Sequence, residues 1–305
     1  MIDLHHDLLS IMYYSYINND YDFLNQWLSN FREDNVSGLL ANLYFMNPME
    51  MKKELGDREI NVLEMFKKST EIFKKYLPNE KVIFSIEGCD YIKDTQELEE
   101  LYNLGLRNIL LVWNNPNKYG SGNVDTYGLT DLGKEFIIKA IDLGISIDLS
   151  HMNKNTFYDT VELIKEQISL GKNVKVIASH SGCYEISNHK RNLDDEQLKA
   201  LKSLNGILGV IAYGGFIQDE NHKDIDLKKL YLEHICHAVD ILGIDNVSVS
   251  SDDMVFSKEM FNEDFGDMVF DYSSIDKDMR NLLSTKYSSE EIDKIMYRNI
   301  YDKLF

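Results

Sequence analysis

A histidine and an aspartate lie one residue apart near the start of this sequence, at His5 and Asp7. Alternate residues of an extended segment point to the same side, so this imidazole and this carboxylate can reach the same cation. His6 points to the opposite side and is not expected to be a ligand. A His-x-Asp pair taken alone is more often a polar strand end followed by a helix cap, so its interpretation depends on residues elsewhere.

Three more candidate ligands, Glu87, His151 and His180, each come directly after a short run rich in apolar residues. A carboxylate has two oxygens and can bridge two metal ions. A neutral imidazole is a good zinc ligand, and two of them at the ends of successive strands can converge on one site. The alternative for Glu87 in isolation is a turn residue, and a single histidine is more often structural than a ligand.

Asp252 follows the run 247–251 in the same way. An aspartate at this position could hold a metal-bound water and transfer its proton to a leaving group. A turn or helix-cap aspartate is the alternative for this residue in isolation. Its neighbour Asp253 cannot be distinguished from it by spacing alone.

The elements that must position these residues are short strands alternating with amphipathic helices. Continuous apolar runs such as Ile109–Val112 are typical of strands buried on both faces of a parallel sheet. Eight strand-helix units predict a (β/α)8 TIM-type barrel, and a doubly wound open sheet is the competing architecture. The predicted strands are Ile2–His5, Ser37–Tyr44, Val82–Ile86, Asn108–Trp113, Ser146–Leu149, Val174–Ser179, Ile207–Ala212 and Val247–Ser251.

Helical periodicity separates these strands, and no Gly/Ser-rich linker interrupts the chain, so we predict a single domain over residues 1–305. The tail after about Asp276 predicts two further helices that cap the barrel. The clearest predicted helices are Glu54–Tyr76, Leu132–Leu143, Asn155–Leu170, Asp194–Leu204 and Leu227–Leu242.

The candidate ligands share one location in this architecture, because active sites of such barrels lie at the C-terminal ends of the strands. The two aspartates, the glutamate and the three histidines occupy the ends of five of the eight predicted strands. Two divalent cations bridged by a carboxylate and a hydroxide form a known device for hydrolysing amides or esters. The joint pattern therefore predicts a two-metal hydrolase.

The overall charge of the chain disfavours nucleic acid and anionic membranes as partners. The chain has 51 Asp and Glu against 32 Lys and Arg, a formal net charge of −19. Such a surface repels nucleic acid and anionic membranes, so neither is an expected partner. No signal peptide or membrane-spanning segment is recognisable, and three widely spaced cysteines are typical of free thiols. We therefore expect a cytoplasmic protein.

The sequence resembles the renal (membrane) dipeptidase family of metallopeptidases, within the amidohydrolase superfamily. The resemblance extends over nearly the whole chain. It implies a distorted (β/α)8 barrel with two zinc ions, other divalent metals being possible, dipeptide substrates and a possible homodimer. Its carrying segments are Asp3–Asp7, Ile86–Gly88, Leu111–Asn115, Gly128–Thr130, Ile147–His151, Ser179–Ser181 and His189–Asn192.

The resemblance also implies roles for the individual residues. His5 and Asp7 match the ligands of one zinc, and His151 and His180 those of the other. Glu87 matches the carboxylate that bridges both. Arg191 matches the arginine that pairs with the substrate's C-terminal carboxylate. Asp252 matches the aspartate that transfers the proton.

Two positions depart from the family pattern. Trp113 stands where eukaryotic members have a substrate-contacting histidine, so carbonyl polarisation would rest more on the metal and Trp113 would form a wall of the substrate site. The segment Ser251–Val255 stands where the family usually has Gly-Ser-Asp-Phe-Asp-Gly. The expected function is a dipeptidase that uses a zinc-bridged hydroxide. The alternatives are another amidohydrolase-type hydrolase on the same barrel and a catalytically silent metal-binding protein.

One further histidine pair, His234 and His237, has a spacing that can bind metal on a helix. No strand end lies near it in the sequence. We therefore interpret this pair as an exposed or packed helix face.

Overall fold

Eight parallel strands form one sheet in the order β1 to β8 in a computed structural model, which describes residues 1–33, 36–253 and 267–305. The sheet returns to its first strand, because the backbone N–H of Asp252 donates to the carbonyl of His5 over 3.2 Å. The Ser251 N–H donates to the Asp3 carboxylate at the same seam. The predicted (β/α)8 barrel is therefore confirmed, and its register shifts at three strand pairs account for the distortion.

All eight predicted strands are present. The fourth ends at Leu110 rather than at Trp113, because the Asn117 side chain donates to the Leu111 carbonyl and draws the chain into a loop. The strands are β1 Ile2–His6, β2 Gly38–Tyr44, β3 Lys81–Glu87, β4 Leu106–Leu110, β5 Ser146–Asp148, β6 Val176–Ser181, β7 Ile207–Ile211 and β8 Val247–Ser250.

Helices cover the outside of the sheet and follow the last strand. A π-helical stretch, Lys294–Arg298, joins the final two α-helices. The helices are α1 Leu8–Asn18, α2 Asp22–Glu33, α3 Pro48–Leu55, α4 Val62–Tyr76, α5 Thr95–Leu104, α6 Asp131–Leu143, α7 Lys154–Ser169, α8 Asp195–Ser203, α9 Gly214–Ile217, α10 Leu227–Leu242, α11 Ile275–Leu283, α12 Ser289–Asp293 and α13 Asn299–Leu304.

The predicted helix Glu54–Tyr76 is wrong at its beginning. Gly56 ends α3 with a φ of +65°, a left-handed conformation that favours glycine. Helix α4 begins only after Asn61, whose side chain accepts a hydrogen bond from the Glu64 N–H. The apolar residues keep nearly the same helical period across both helices, so the sequence pattern does not reveal the break.

The C-terminal helices cap the barrel, as predicted, and they cover its N-terminal end. Ile300 packs with Ile2, Leu40 and Ile207 from three strands. The Asn299 amide donates to the Val247 carbonyl over 2.7 Å, which attaches the tail to β8. This end of the barrel is closed by packing, so chemistry is left to the opposite end. Across the described ranges, every helix is too short or too polar to cross a bilayer.

Candidate metal centre

The carboxylate of Glu87 lies between histidines from three different strand ends. Its Oε2 is 3.0 Å from Nε2 of His5 at the end of β1. Its Oε1 is 2.7 Å from Nε2 of His151, which follows β5, and 3.6 Å from Nε2 of His180 in β6. The two oxygens of one side chain therefore face two separate sets of residues.

The residues on either side of Glu87 differ in chemistry. On one side is the aspartate group, in which Oδ1 of Asp7 and Oδ1 of Asp252 each lie 3.7 Å from Nε2 of His5. On the other side is the histidine pair, in which Nε2 of His151 and Nε2 of His180 are 2.9 Å apart. All six residues that the sequence predicted for metal binding and proton transfer thus meet in one place.

Burial and crowding of charge determine the protonation of these residues. Burial, and then the Glu87 carboxylate, raise the pKa of Asp7 well above its ordinary value. Burial raises the pKa of Asp252 to about 6 against the opposing effect of His5. Burial and the positive charge of Arg191 lower the pKa of His151 to about 3. The imidazole of His151 is therefore neutral, which is the form that binds a metal.

Neighbouring side chains orient the three imidazoles. Nδ1 of His151 lies 3.0 Å from Oδ1 of Asn114, an acceptor, so Nδ1 carries the proton and the lone pair of Nε2 faces Glu87. Ser179 Oγ lies 2.8 Å from Nδ1 of His180 and 3.2 Å from Nδ1 of His5. The Asn42 amide also contacts Nδ1 of His5, at 3.0 Å. All three rings therefore turn Nε2 toward the centre.

Two buried aspartates that the sequence analysis missed hold the strand ends together. Asp3 Oδ1 accepts the backbone N–H groups of His5 and Ser251, which joins β1 to the end of β8. Asp148 Oδ1 accepts those of Ser150 and Ser179, which joins β5 to β6. Their position inside apolar strands was the available signal, because an unpaired carboxylate is costly there.

The backbone is unusual at three positions of the centre. His151 and Asp252 have φ values of +69° and +47°, a region that residues other than glycine rarely adopt. Gly88, directly after Glu87, has a φ of +82°, and a Cβ there would lie 2.2 Å from the Phe45 carbonyl oxygen. Strain of this kind persists where the surrounding structure holds it, and it directs the adjoining side chains inward.

Arg191 lies beside the histidine pair. Its Nη2 is 2.8 Å from Nε2 of His180, and its guanidinium stacks over the Phe216 ring with 5.3 Å to the centroid. Burial lowers the pKa of Arg191 to about 10, so it remains a cation at neutral pH. A cavity of about 230 Å³ has Arg191 and His151 in its wall.

Trp113 contacts the centre through a ligand candidate, His151. Its ring stacks on that of His151, with 5.9 Å between centroids and a 30° interplanar angle. It also lines a smaller cavity of about 30 Å³ next to Gly88. Its role in substrate binding stays a prediction. Of the unusual segment Ser251–Val255, residues Met254 and Val255 lie outside the described residues.

The residues present fit a divalent metal centre. Nitrogen or oxygen atoms of His5, Glu87 and His180 all lie within 4.8 Å of one another, as do those of His5, Asp7 and Asp252. Oδ1 of Asp7 is buried and makes no hydrogen bond to the part of the chain that the structure describes. Imidazole and carboxylate together are a donor set that suits zinc and other divalent metals.

Comparison with known proteins identifies the family of this chain and supports its fold. The model of the family described as membrane dipeptidase, peptidase family M19, matches residues 2–302. An uncharacterized protein of Klebsiella pneumoniae is 27% identical over 228 residues, which are 72% of this chain and 79% of that protein. An uncharacterized dipeptidase of Schizosaccharomyces pombe is 30% identical over 178 residues, which are 56% of this chain and 41% of that protein.

Solved structures are similar over almost the whole chain. A metallo peptidase from Rhodobacter sphaeroides, liganded with a phosphinate mimic of L-Ala-D-Ala, matches with a TM-score of 0.77 and 19% identity, covering 100% of this chain and 99% of that one. A probable dipeptidase from Pseudomonas aeruginosa matches with a TM-score of 0.72 and 17% identity, covering 91% and 87%. At these identities the likeness establishes the barrel fold.

Proposed function

This chain belongs to the membrane dipeptidase family, peptidase family M19, and from that premise we propose that it hydrolyses dipeptides at a dinuclear zinc centre. As a member of that family it is a metal-dependent dipeptidase. His5 and Asp7 would hold one cation and His151 and His180 the other, with Glu87 shared between them.

The observation that carries this proposal is the division of the Glu87 carboxylate between two groups. One oxygen lies 3.0 Å from His5 and the other 2.7 Å from His151. A carboxylate that served a single ion would not need imidazoles on both of its oxygens. Two divalent cations would supply Lewis acidity to a peptide carbonyl and lower the pKa of water near neutral pH.

Asp252 is proposed to move the proton. Its Oδ1 faces His5 and Asp7 within the aspartate group, at the point where an attacking water must lose a proton. Asp252 takes that proton on Oδ1 and delivers it to the departing amine. The raised pKa of Asp252 and its burial support a group that can both accept and donate.

Arg191 is proposed to hold the free carboxylate of the substrate. Its guanidinium is a buried cation beside the histidine pair, and its planar fork suits bidentate binding of a carboxylate. A fixed distance between this cation and the metal centre would limit substrates to dipeptides. Trp113 would form a wall through its stacking on His151.

The cellular location, the partners and the oligomeric state are proposed from the sequence. Cys89, Cys183 and Cys236 are free thiols, which supports action in the reducing cytoplasm. The net charge of −19 disfavours nucleic acid as a partner. A homodimer is proposed by analogy with the family.

A dipeptide panel on metal-quantified protein tests the proposed function. We expect about two zinc ions per chain and hydrolysis of dipeptides such as Gly-Leu or L-Ala-D-Ala. Asp252→Asn should lower kcat by roughly 10²- to 10⁴-fold while retaining the metal, because it removes only the proton acceptor. Asp253→Asn is the matched control, since Asp253 faces Trp27 and His6 instead, and it should leave kcat within a few-fold of wild type.

Three results would contradict the proposal. Cleavage of a lactone or phosphotriester without cleavage of dipeptides would indicate a different amidohydrolase on this barrel. Bound metal without turnover of any peptide would indicate a silent metal-binding protein. A protein purified without chelator that contains no metal would exclude the dinuclear centre itself.

A further inference from the structure

The cavity beside Arg191 has a charge opposite to that of the chain as a whole. Three cations, Lys154, Lys190 and Arg191, belong to its wall. Asp194 is the single carboxylate among the wall residues that the structure describes. On a chain with a net charge of −19, this concentration of positive charge favours an anionic occupant.

Two of these three cations are already engaged. Nζ of Lys154 lies 2.6 Å from Oδ2 of Asp194, so their charges cancel at the wall. Asp194 also caps α8 by accepting the Gln197 N–H, which fixes that ion pair in place. Arg191 is the residue proposed above to hold the substrate's free carboxylate.

Lys190 is the cation left over. It is exposed, and within the described ranges its ammonium has no ion pair or hydrogen bond. Met152 and Leu193 are the only aliphatic residues among the wall residues that the structure describes. The cavity lies at the N-terminal ends of α7 and α8 as well, where the helix dipoles add positive potential.

We propose that this cavity receives the side chain of the second residue of the dipeptide and selects an acidic one, aspartate or glutamate, through Lys190. The inference rests on the proposed function, because Arg191 must take the main-chain carboxylate for the side chain of the same residue to enter the cavity. The volume of about 230 Å³ is large enough for that side chain.

Isosteric dipeptides test this selection on the metal-loaded protein. The kcat/KM of Ala-Glu is compared with that of Ala-Gln, each with the second residue in the L and in the D form. We expect Ala-Glu to be preferred by roughly two- to fivefold, the discrimination that an exposed ion pair can supply. Lys190→Met should remove most of that preference, and Lys190→Arg should keep it. Lys190→Glu should place Ala-Lys above Ala-Glu.

Lys165→Met is the matched control, because Lys165 is an exposed lysine near the far end of α7, paired with Glu162. It should change neither rate. Equal rates for Ala-Glu and Ala-Gln in the wild type would overturn the inference and leave the proposed function standing. An unchanged preference in Lys190→Met would also overturn it. Failure to cleave any dipeptide in the panel would overturn the proposed function, and the inference with it.

Discussion

Two fully buried histidines, His5 in the metal centre and His234 in α10, differ in how their ring nitrogens are satisfied. Nδ1 of His234 accepts the Cys183 backbone N–H over 2.9 Å, and its Nε2 donates to the Ile217 carbonyl over 3.0 Å. Nε2 of His5 instead faces three carboxylates, with Oε2 of Glu87 at 3.0 Å and Oδ1 of Asp7 and of Asp252 each at 3.7 Å. One ring completes a backbone network, and the other turns Nε2 toward a cluster of carboxylates.

This difference teaches what separates a structural histidine from a ligand. Several carboxylates buried together are costly unless a cation balances their charge, so a histidine that faces such a cluster is a candidate ligand. His234 lies three residues from His237, a spacing that resembles a metal motif, but the His237 ring turns away to Asp195 at 2.7 Å. The prediction of a packed helix face is confirmed for His234. Spacing in sequence is thus a weaker criterion than the chemical groups that the ring nitrogens face.

Among variants that distinguish the metal centre from the surroundings of His234, Glu87→Gln is expected to have the largest effect. This variant keeps the shape of the side chain but removes the negative charge that lies between the aspartate group and the histidine pair. We expect the metal content to fall from two ions to one or fewer, and kcat/KM to fall by about 10³-fold or more. Metal analysis and dipeptide hydrolysis measure both.

Glu97→Gln is its control, because Glu97 is also buried but accepts the Lys93 N–H far from the centre. It should retain both metals and near wild-type kcat/KM. Full activity of Glu87→Gln with two bound ions would remove the distinction between the centre and the rest of the barrel.

His234→Ala should have the opposite pattern, a loss of stability without a loss of metal or activity. It leaves the buried Cys183 N–H and Ile217 carbonyl unpaired and opens a small cavity, so the free energy of unfolding should fall by about 2 to 3 kcal/mol. Metal content and kcat/KM of the folded protein should stay within a few-fold of wild type. Urea unfolding and metal analysis test this pair of outcomes.

His237→Ala serves as the control, since its side chain is 23% exposed and pairs with Asp195 at the surface. Its unfolding free energy should change by less than about 1 kcal/mol. Loss of metal from His234→Ala would show that the two histidine environments are coupled after all.

The smallest effect is expected from pH. Burial lowers the pKa of His234 to about 4, whereas the unfolded chain binds this proton near the ordinary value of 6.5. Between these values the unfolded state holds more protons, so the stability contributed by His234 is complete above about pH 6.5 and is lost as the pH falls toward 4.

The measurement is the difference in unfolding free energy between wild type and His234→Ala at two pH values. Because other groups titrate equally in both proteins, the difference isolates His234. It should shrink by about 1 to 2 kcal/mol between pH 7 and pH 5. A constant difference would mean that folding does not lower the pKa of His234.

Much of the fold was predictable from the sequence because its signals are local. Continuous apolar runs such as Ile109–Val112 indicated buried parallel strands, and strand-helix alternation then favoured the barrel. Boundaries depended on contacts that the sequence does not display. The Asn117 side chain ends β4 early, and Gly56 separates α3 from α4 within one predicted helix.

The ligand types and their positions at strand ends were determined by the sequence alone, since parallel strands of a barrel must place their C-terminal ends on one face. Only the tertiary structure decided how those residues meet. The division of Glu87 between His5 and His151, the turn of Arg191 toward His180, and the supporting roles of Asp3 and Asp148 all depend on contacts between distant strands. The physical reason is that distances of 3 to 4 Å across a barrel follow from packing and backbone strain, which no local pattern encodes.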